Sequence, residues 1–258
     1  MTTWFFEPDG DRFRATELTR GPWSERHQHG GPPAALLGGA MEKHVSPADV
    51  RAARFTIVFH RPIAIGVFRV TTETVREGKK VRLVRAQLID GDDRAVATAD
   101  ATFVRRDHTT EVSATVSPAP PPPDTCDPFE FSFFTAPVGY HTAMEARHIE
   151  GTWGTGALSL WMRIRGSVLA GEAPSPLQRV LAAADSGNGL SVALDLARFT
   201  FVNPDLTVLL ARELDGEWLG MHARTTFGPD GVGLADTKLV GRSGDIGRGL
   251  QSLIVEHR

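Results

Sequence analysis

Two stretches of this chain repeat one another, and any fold must accommodate that duplication. Pro32 and Pro176 lie 144 residues apart (176 − 32), and the same shift carries Leu37 to Leu181 and Ala40 to Ala184. It also carries Ala53-Arg54-Phe55-Thr56 to Ala197-Arg198-Phe199-Thr200, with Val58 falling on Val202. One gapless offset across a helical pattern and the strand pattern after it predicts two copies of one unit. In the first copy Leu36, Leu37, Ala40, Met41 and His44 share a helix face; in the second, Leu177, Val180, Leu181 and Ala184 do so. Ser175 is placed to cap the second helix, Pro176 to open it and Gln178 to complete a capping box. Gly187 and Gly189 give that helix its expected stop. The copies differ where Met41 stands opposite Asp185. A carboxylate at the edge of an apolar stripe is costly unless something compensates it, which singles Asp185 out.

Strand patterns follow each helix. From Ala52 to Arg105 come RFTIVFHRPI, VFRVTTETVREG, KKVRLVRAQLID and AVATADATFVRR, rich in β-branched residues and bounded by turn signals. Glu77-Gly78 and Asp90-Gly91 read as hairpin turns, so an antiparallel meander is expected. The second copy shows strand patterns at 146–150, 157–164, 199–203, 207–214, 218–226, 233–240 and 249–256. One helix followed by several long antiparallel strands is an α+β unit whose sheet curls round the helix. Gly38 and Gly39 weaken the first helix and are expected where another backbone packs closely. The reading 112–129, VSATVSPAPPPPDTCDPF, is that of an extended connector. The expected organisation is therefore a unit over 1–110, a proline-rich linker over 111–127 and a second unit over 128–258.

Several function classes are excluded or disfavoured by composition. A net charge of −3 gives no reason to expect nucleic acid as a partner. The N-terminus MTTWFFEPDGDRF has no basic segment followed by an apolar run, and no stretch approaches the roughly 20 apolar residues of a membrane span. The single cysteine, Cys126, cannot form an intrachain disulfide and suits a reducing, cytoplasmic setting.

The helix start HGGPPAALL, the strand RFTIVFHRPI, the helix end AADSGN, the stretch GEWLGMHARTTFGPDGVG and the closing GRGLQSLIVE together resemble the acyl-CoA thioesterase II (TesB-like) group of double-hotdog proteins. The resemblance runs from about Trp23 to Glu256. It implies two tandem hotdog units, each with a central helix wrapped by an antiparallel sheet. It also implies hydrolysis of an acyl-CoA, fatty or otherwise, to free acid and CoA with neither metal nor organic cofactor. In that family an Asp ending the second helix, a Thr near the next strand and a Gln on the last strand position the attacking water. Asp185 matches the Asp and Gln251 the Gln. The Thr position falls on Ala193 or Asp195, and Thr200 is the nearby hydroxyl within the strand.

The chemistry of these residues agrees with that reading. A carboxylate on an apolar face can have a raised pKa and act as base. Gln251 can accept from water and donate through its amide, which suits orientation rather than proton removal. An offset of 152 from the Asp93/Asp245 turns (245 − 93) sets Ala99 opposite Gln251, so both polar candidates stand where the first copy is apolar. One active site per chain is expected, with the first half supplying wall. There, Gly30 and Gly31 could offer backbone amides to an oxyanion, and Met41 is expected to face substrate. His27 and His29 without a third ligand read as loop residues rather than a metal site. Trp153, Trp161 and Trp218 read as core. Two other classes remain: a non-catalytic acyl-CoA binder, and a hotdog hydratase or dehydratase using His29 with Glu42. Homo-oligomers are compatible with the sequence.

Overall fold

A computed structural model describes residues 3–46, 49–107 and 119–258. The first half runs β1 (Trp4–Asp9), β2 (Arg12–Ala15), α1 (Gly31–Val45), β3 (Val50–Phe59), β4 (Val67–Arg76), β5 (Val81–Ile89) and β6 (Ala95–Arg105). The second opens with β7 (Pro128–Phe129), α2 (Tyr140–Ala143), β8 (Met144–Thr152), β9 (Ala157–Ile164) and β10 (Ser167–Leu169). It continues with α3 (Pro176–Ala184), α4 (Gly187–Leu190), β11 (Phe199–Val202), β12 (Asp205–Leu210), β13 (Leu219–Phe227), β14 (Val232–Gly241) and β15 (Gly244–His257). Part of the expected linker, residues 111–118, lies outside the described residues. Its described remainder packs beside β9, where the Pro121 carbonyl accepts from Trp161 Nε1 at 2.8 Å.

Each half is a hotdog unit, with a helix wrapped by antiparallel strands. In the first half β4, β5 and β6 form the expected meander, and β3 joins it beside β6. In the second, β13, β14 and β15 repeat the meander, with β11 and β12 in succession along the free edge of β15. The halves join edge to edge through β3 and β12, paired antiparallel from Val58↔Asp205 to Arg54↔Leu209. Thr56 and Thr207, opposite each other at this seam, share a side-chain hydrogen bond of 3.1 Å. A parallel pairing of β1 with β10 ties the N-terminus to the second half. The described strands thus form one continuous sheet.

The helices meet inside it, and glycine decides how closely. A Cβ on Gly38 would run into Leu181, one on Gly39 into Gln178, and one on Gly31 into the Ala182 carbonyl oxygen. The first two neighbours are side chains that can shift; the third is backbone and cannot. Gly31→Ala should therefore cost about 1–3 kcal/mol, a fall of several degrees in Tm, as in other overpacked sites. Thermal melts of the two proteins side by side test this.

The 144-residue offset holds for the helices but not for the strands. Strand β3 begins five positions after α1 ends, whereas β11 begins nine after α4. Consequently the shared Ala-Arg-Phe-Thr lies inside β3 in the first copy, but straddles the start of β11 in the second. In the second copy residues 191–198 stay outside the strand, and β12 rather than β11 pairs with β3 at the seam, with Thr207 opposite Thr56. The expected stop at Gly187 is also revised: α3 ends at Ala184, and the chain resumes as the short helix α4. Gly187 is needed there because a Cβ would strike the Thr237 hydroxyl and come within 2.8 Å of Gln251 Oε1.

Candidate active site

The break between α3 and α4 turns Asp185 inward. The helix before it is anchored as its sequence requires: Ser175 Oγ accepts from the Gln178 amide at 3.1 Å, and Gln178 Oε1 accepts from the Ser175 amide at 3.0 Å. Buried Leu177, Val180 and Leu181 then hold α3 against α1, leaving the last residue to meet the N-terminus of α1. Asp185 is 4% exposed. Its Oδ1 accepts from Asn203 Nδ2 at 2.8 Å and from Gln251 Nε2 at 3.3 Å, while Oδ2 lies 3.2 Å from His29 Nδ1. The Gly30 and Gly31 amides also bear on the carboxyl. Burial pushes its pKa up to about 7, against the pull of the Asn203, Gly30, Gln251 and Gly31 donors.

Gln251 meets Asp185 from the floor of the site. It is 1% exposed on β15; its Nε2 donates to the Asp185 backbone carbonyl at 3.0 Å, and its Oε1 accepts the Asn188 amide at 3.0 Å. It braces the α3–α4 break and does not line the cavity beyond. The fit requires Ala235 beside it on β14, a small neighbour in the ladder.

Thr200 is not part of this cluster. It pairs with Glu256 on β15 and does not line the cavity. The third side chain bonded within this cluster is Asn203, which directly follows β11 and precedes Pro204. Asn203 Nδ2 bonds both Asp185 and the Asp205 carbonyl, and its Oδ1 accepts from Asn188 Nδ2 at 3.2 Å. Thr200 is held within β11 opposite Glu256, whereas Asn203 follows the last residue of that strand and reaches Asp185. The Asn203-Pro204 pair was the available signal, because such dipeptides mark turns where a side chain leaves the strand plane.

Two wall expectations are also corrected. Met41 is fully buried between α1 and the sheet and does not line the cavity. Gly30 does line it, but the Gly30 and Gly31 amides act on Asp185 rather than standing free for an oxyanion. This is the electrostatics of a helix N-terminus, which favours a negative group close to its unpaired amides.

The residue that the loop reading undervalued is His29. Its ring lies flat on Tyr140, with centroids 3.8 Å apart and planes within 2°. Tyr140 is fixed in turn by its hydroxyl, which donates to the Ala182 carbonyl and bonds Ser186 Oγ, both at 2.8 Å. Burial lowers the His29 pKa to about 3, so the ring is neutral near pH 7. Glu42 is elsewhere: it accepts from Ser175 Oγ on the far side of the helix pair, and so does not share a site with His29.

His29, Gly30, Asp185, Asn188 and Asn203 line a cavity of about 800 Å³. Both halves line it. Phe59 and Ile63 come from the first; Phe131, Phe133, Phe134 and Trp153 come from the second. Trp153 is therefore wall as well as core, stacked on Phe133 at 5.5 Å and held by a 2.9 Å bond from its Nε1 to the Gly189 carbonyl. Trp161 and Trp218 are core, as expected, and form a small separate cluster with Val240. Among the described residues, no three His, Cys, Asp or Glu side chains are grouped to hold a metal ion, and no helix is long and apolar enough to cross a membrane.

Comparison with known proteins agrees with this architecture. The family model for the acyl-CoA thioesterase N-terminal domain matches residues 19–104, and that for the acyl-CoA thioesterase C-terminal domain matches residues 116–255. Among solved structures the chain is similar to a thioesterase II candidate from Thermobifida fusca YX, at 19% identity and TM-score 0.74 over 96% of this chain and 93% of that one. It is similar to a hot-dog-fold protein of unknown function from Alicyclobacillus acidocaldarius, at 18% identity and TM-score 0.73 over 98% and 95%. The TesB protein of Mycobacterium avium subsp. paratuberculosis follows at 17% identity and TM-score 0.69 over 97% and 95%. Identities this low speak to the fold alone. No curated protein matches the chain. With its two halves matched in order by the two domain models, the chain belongs to the double-hotdog, TesB-like acyl-CoA thioesterase family.

Proposed function

We propose that this protein hydrolyses acyl-CoA thioesters to the free acid and CoA, with Asp185 as the base that draws a proton from the attacking water. The observation that carries the reading is a buried carboxyl, its pKa raised to about 7, in the wall of a largely apolar cavity. Such a group is ionised often enough to act at neutral pH and basic enough to take a proton as water attacks. Asn203 and Gln251 hold its Oδ1, fixing the direction of its lone pairs. Water adds to the thioester carbonyl, the tetrahedral intermediate collapses with loss of the sulfur, and the proton held by Asp185 is available to the departing thiolate. The aromatic wall from Phe131 to Trp153 suits the acyl group, which enters a space with few polar partners.

One observation favours a second reading, a non-catalytic acyl-CoA binder. Gln251 is 1% exposed, spends both amide protons on Asp185 and its Oε1 on the Asn188 amide, and does not line the cavity where water would attack. Purified protein, a panel of acyl-CoAs and a free-thiol readout separate the two. Release of CoA supports the hydrolase; saturable binding without release supports the binder. In the same assay Thr200→Ala should leave kcat within about twofold of wild type, since the residue is remote from Asp185. A hundredfold loss would return Thr200 to the site.

A further inference from the structure

We propose that His29 is a catalytic residue, its Nε2–H donating to the thioester carbonyl oxygen as negative charge develops there. The inference deepens the thioesterase reading and rests on it. Attack by water needs donors for the oxyanion as well as a base. The obvious donors are occupied: the Gly30 and Gly31 amides bear on Asp185, Asn203 Nδ2 is shared between Asp185 and Asp205, and Ser186 Oγ is bonded to Tyr140. Gln251 Nε2 spends both of its protons on Asp185, and Asn188 Nδ2 spends one of its two on Asn203. His29 brings a ring donor into the cavity directly beside Asp185, with Nδ1 3.2 Å from the carboxyl.

The tautomer follows from the bonds. His29 Nδ1 accepts the Gly31 amide at 3.1 Å, so in the neutral ring the proton belongs on Nε2. Among the described residues the polar contacts of the ring nitrogens are all at Nδ1, and the ring lines the cavity. Its direction is fixed by the flat stack on Tyr140 and by the doubly bonded Tyr140 hydroxyl. A donor aligned before reaction costs little reorganisation when charge appears. Nδ1 lies 3.2 Å from Asp185 Oδ2, so base and donor stand side by side, as attack on one carbonyl carbon requires. Because the ring stays neutral throughout the range in which Asp185 ionises, it acts as an imidazole donor and not as an imidazolium.

The test compares His29→Asn, which retains an acceptor near Nδ1, with His29→Gln, which can extend an amide N–H toward the Nε2 position. His29→Asn should lose about 10²–10³ in kcat with KM within a few-fold, and His29→Gln should lose much less. Equal losses in the two variants, or retention of kcat within threefold by His29→Asn, would overturn the proposal and leave His29 only a support for Asp185. A second measurement does not depend on turnover. A ¹³C-labelled ketone analogue of an acyl-CoA, with methylene in place of sulfur, should show a downfield carbonyl shift on wild-type protein that His29→Asn abolishes and His29→Gln partly restores. An unchanged shift in His29→Asn refutes the hydrogen bond even if hydrolysis is found. A protein that shows the shift but releases no CoA refutes hydrolysis while keeping the His29 contact, and failure of the ketone to bind wild type rejects both. Thermal melts accompany every variant, and a His29→Asn that does not fold hands the decision to the His29→Gln carbonyl shift, which must be present.

Discussion

Asp185→Asn should lower kcat on acyl-CoA by about 10³-fold, the scale expected when a general base is lost, with KM changed only a few-fold. The asparagine amide fills the same space and can still meet Asn203, Gln251 and His29, so binding is preserved while proton removal is not. Wild-type kcat should rise with pH through about 7, because burial holds the Asp185 carboxyl up there and only its ionised form accepts a proton. The same shift has a stability consequence of definite sign. With a folded pKa above the unfolded value of 3.8, the folded state binds the proton more tightly. Its contribution is therefore fully present below pH 3.8 and is lost as pH rises through about 7, with the ionised group costing on the order of a few kcal/mol. Asp185→Asn should thus be more stable than wild type at pH 8.5 and show little advantage at pH 4. A variant that loses activity and stability together at pH 8.5 would mean that Asp185 is structural.

The parts of this molecule that were legible in sequence are those fixed by local chemistry. The capping box at Ser175, the apolar stripe behind it and the hairpin turns at Glu77-Gly78 and Asp90-Gly91 each depend on residues a few positions apart. Asp185 was legible because an acid on an apolar stripe violates the pattern around it. Gln251 was found through its apolar counterpart in the first copy, although its position beneath the site rather than beside the cavity depends on the course of α4. What was hidden is long-range. Thr200 looked equivalent to Thr56 because Ala-Arg-Phe-Thr recurs at the same offset as the helices, yet β12 rather than β11 pairs with β3, and it is Thr207 that faces Thr56. In a sheet, identity of sequence carries no guarantee of identical register, because pairing is settled by the loop and the partner strand. His29 was hidden for a similar reason: its partners Tyr140 and Asp185 lie more than a hundred residues away, and no spacing rule brings a stacked ring into view.

Asn203 offers the sharpest test of how the carboxylate is held. Its Nδ2 donates to Asp185 Oδ1 at 2.8 Å and stabilises the ionised form, so it is the leading force opposing burial. Asn203→Ala should therefore do two things. It should cut kcat at pH 7 by about 10²-fold, as for loss of one well-placed hydrogen-bonding group, and it should move the pH midpoint upward from about 7. Because part of the loss comes from protonation, the deficit should shrink at pH 9, leaving the share due to misorientation. Asn203→Asp replaces the donor with a second carboxylate and should raise the midpoint further, since like charges at this distance resist joint ionisation. Asn203→Thr returns a hydroxyl of the kind the family resemblance implies and should recover most of the rate. Gln251→Ala gives the control. It too removes a donor to Oδ1, but it also strips the Asn188 amide of its acceptor and opens space beneath α4, so it should lower Tm where Asn203→Thr does not. If the midpoint stays fixed in Asn203→Ala and Asn203→Asp alike, the titrating base is not Asp185. Asp185 is the one side-chain carboxylate among the described residues that line the cavity, so the base would then have to be a group of another kind.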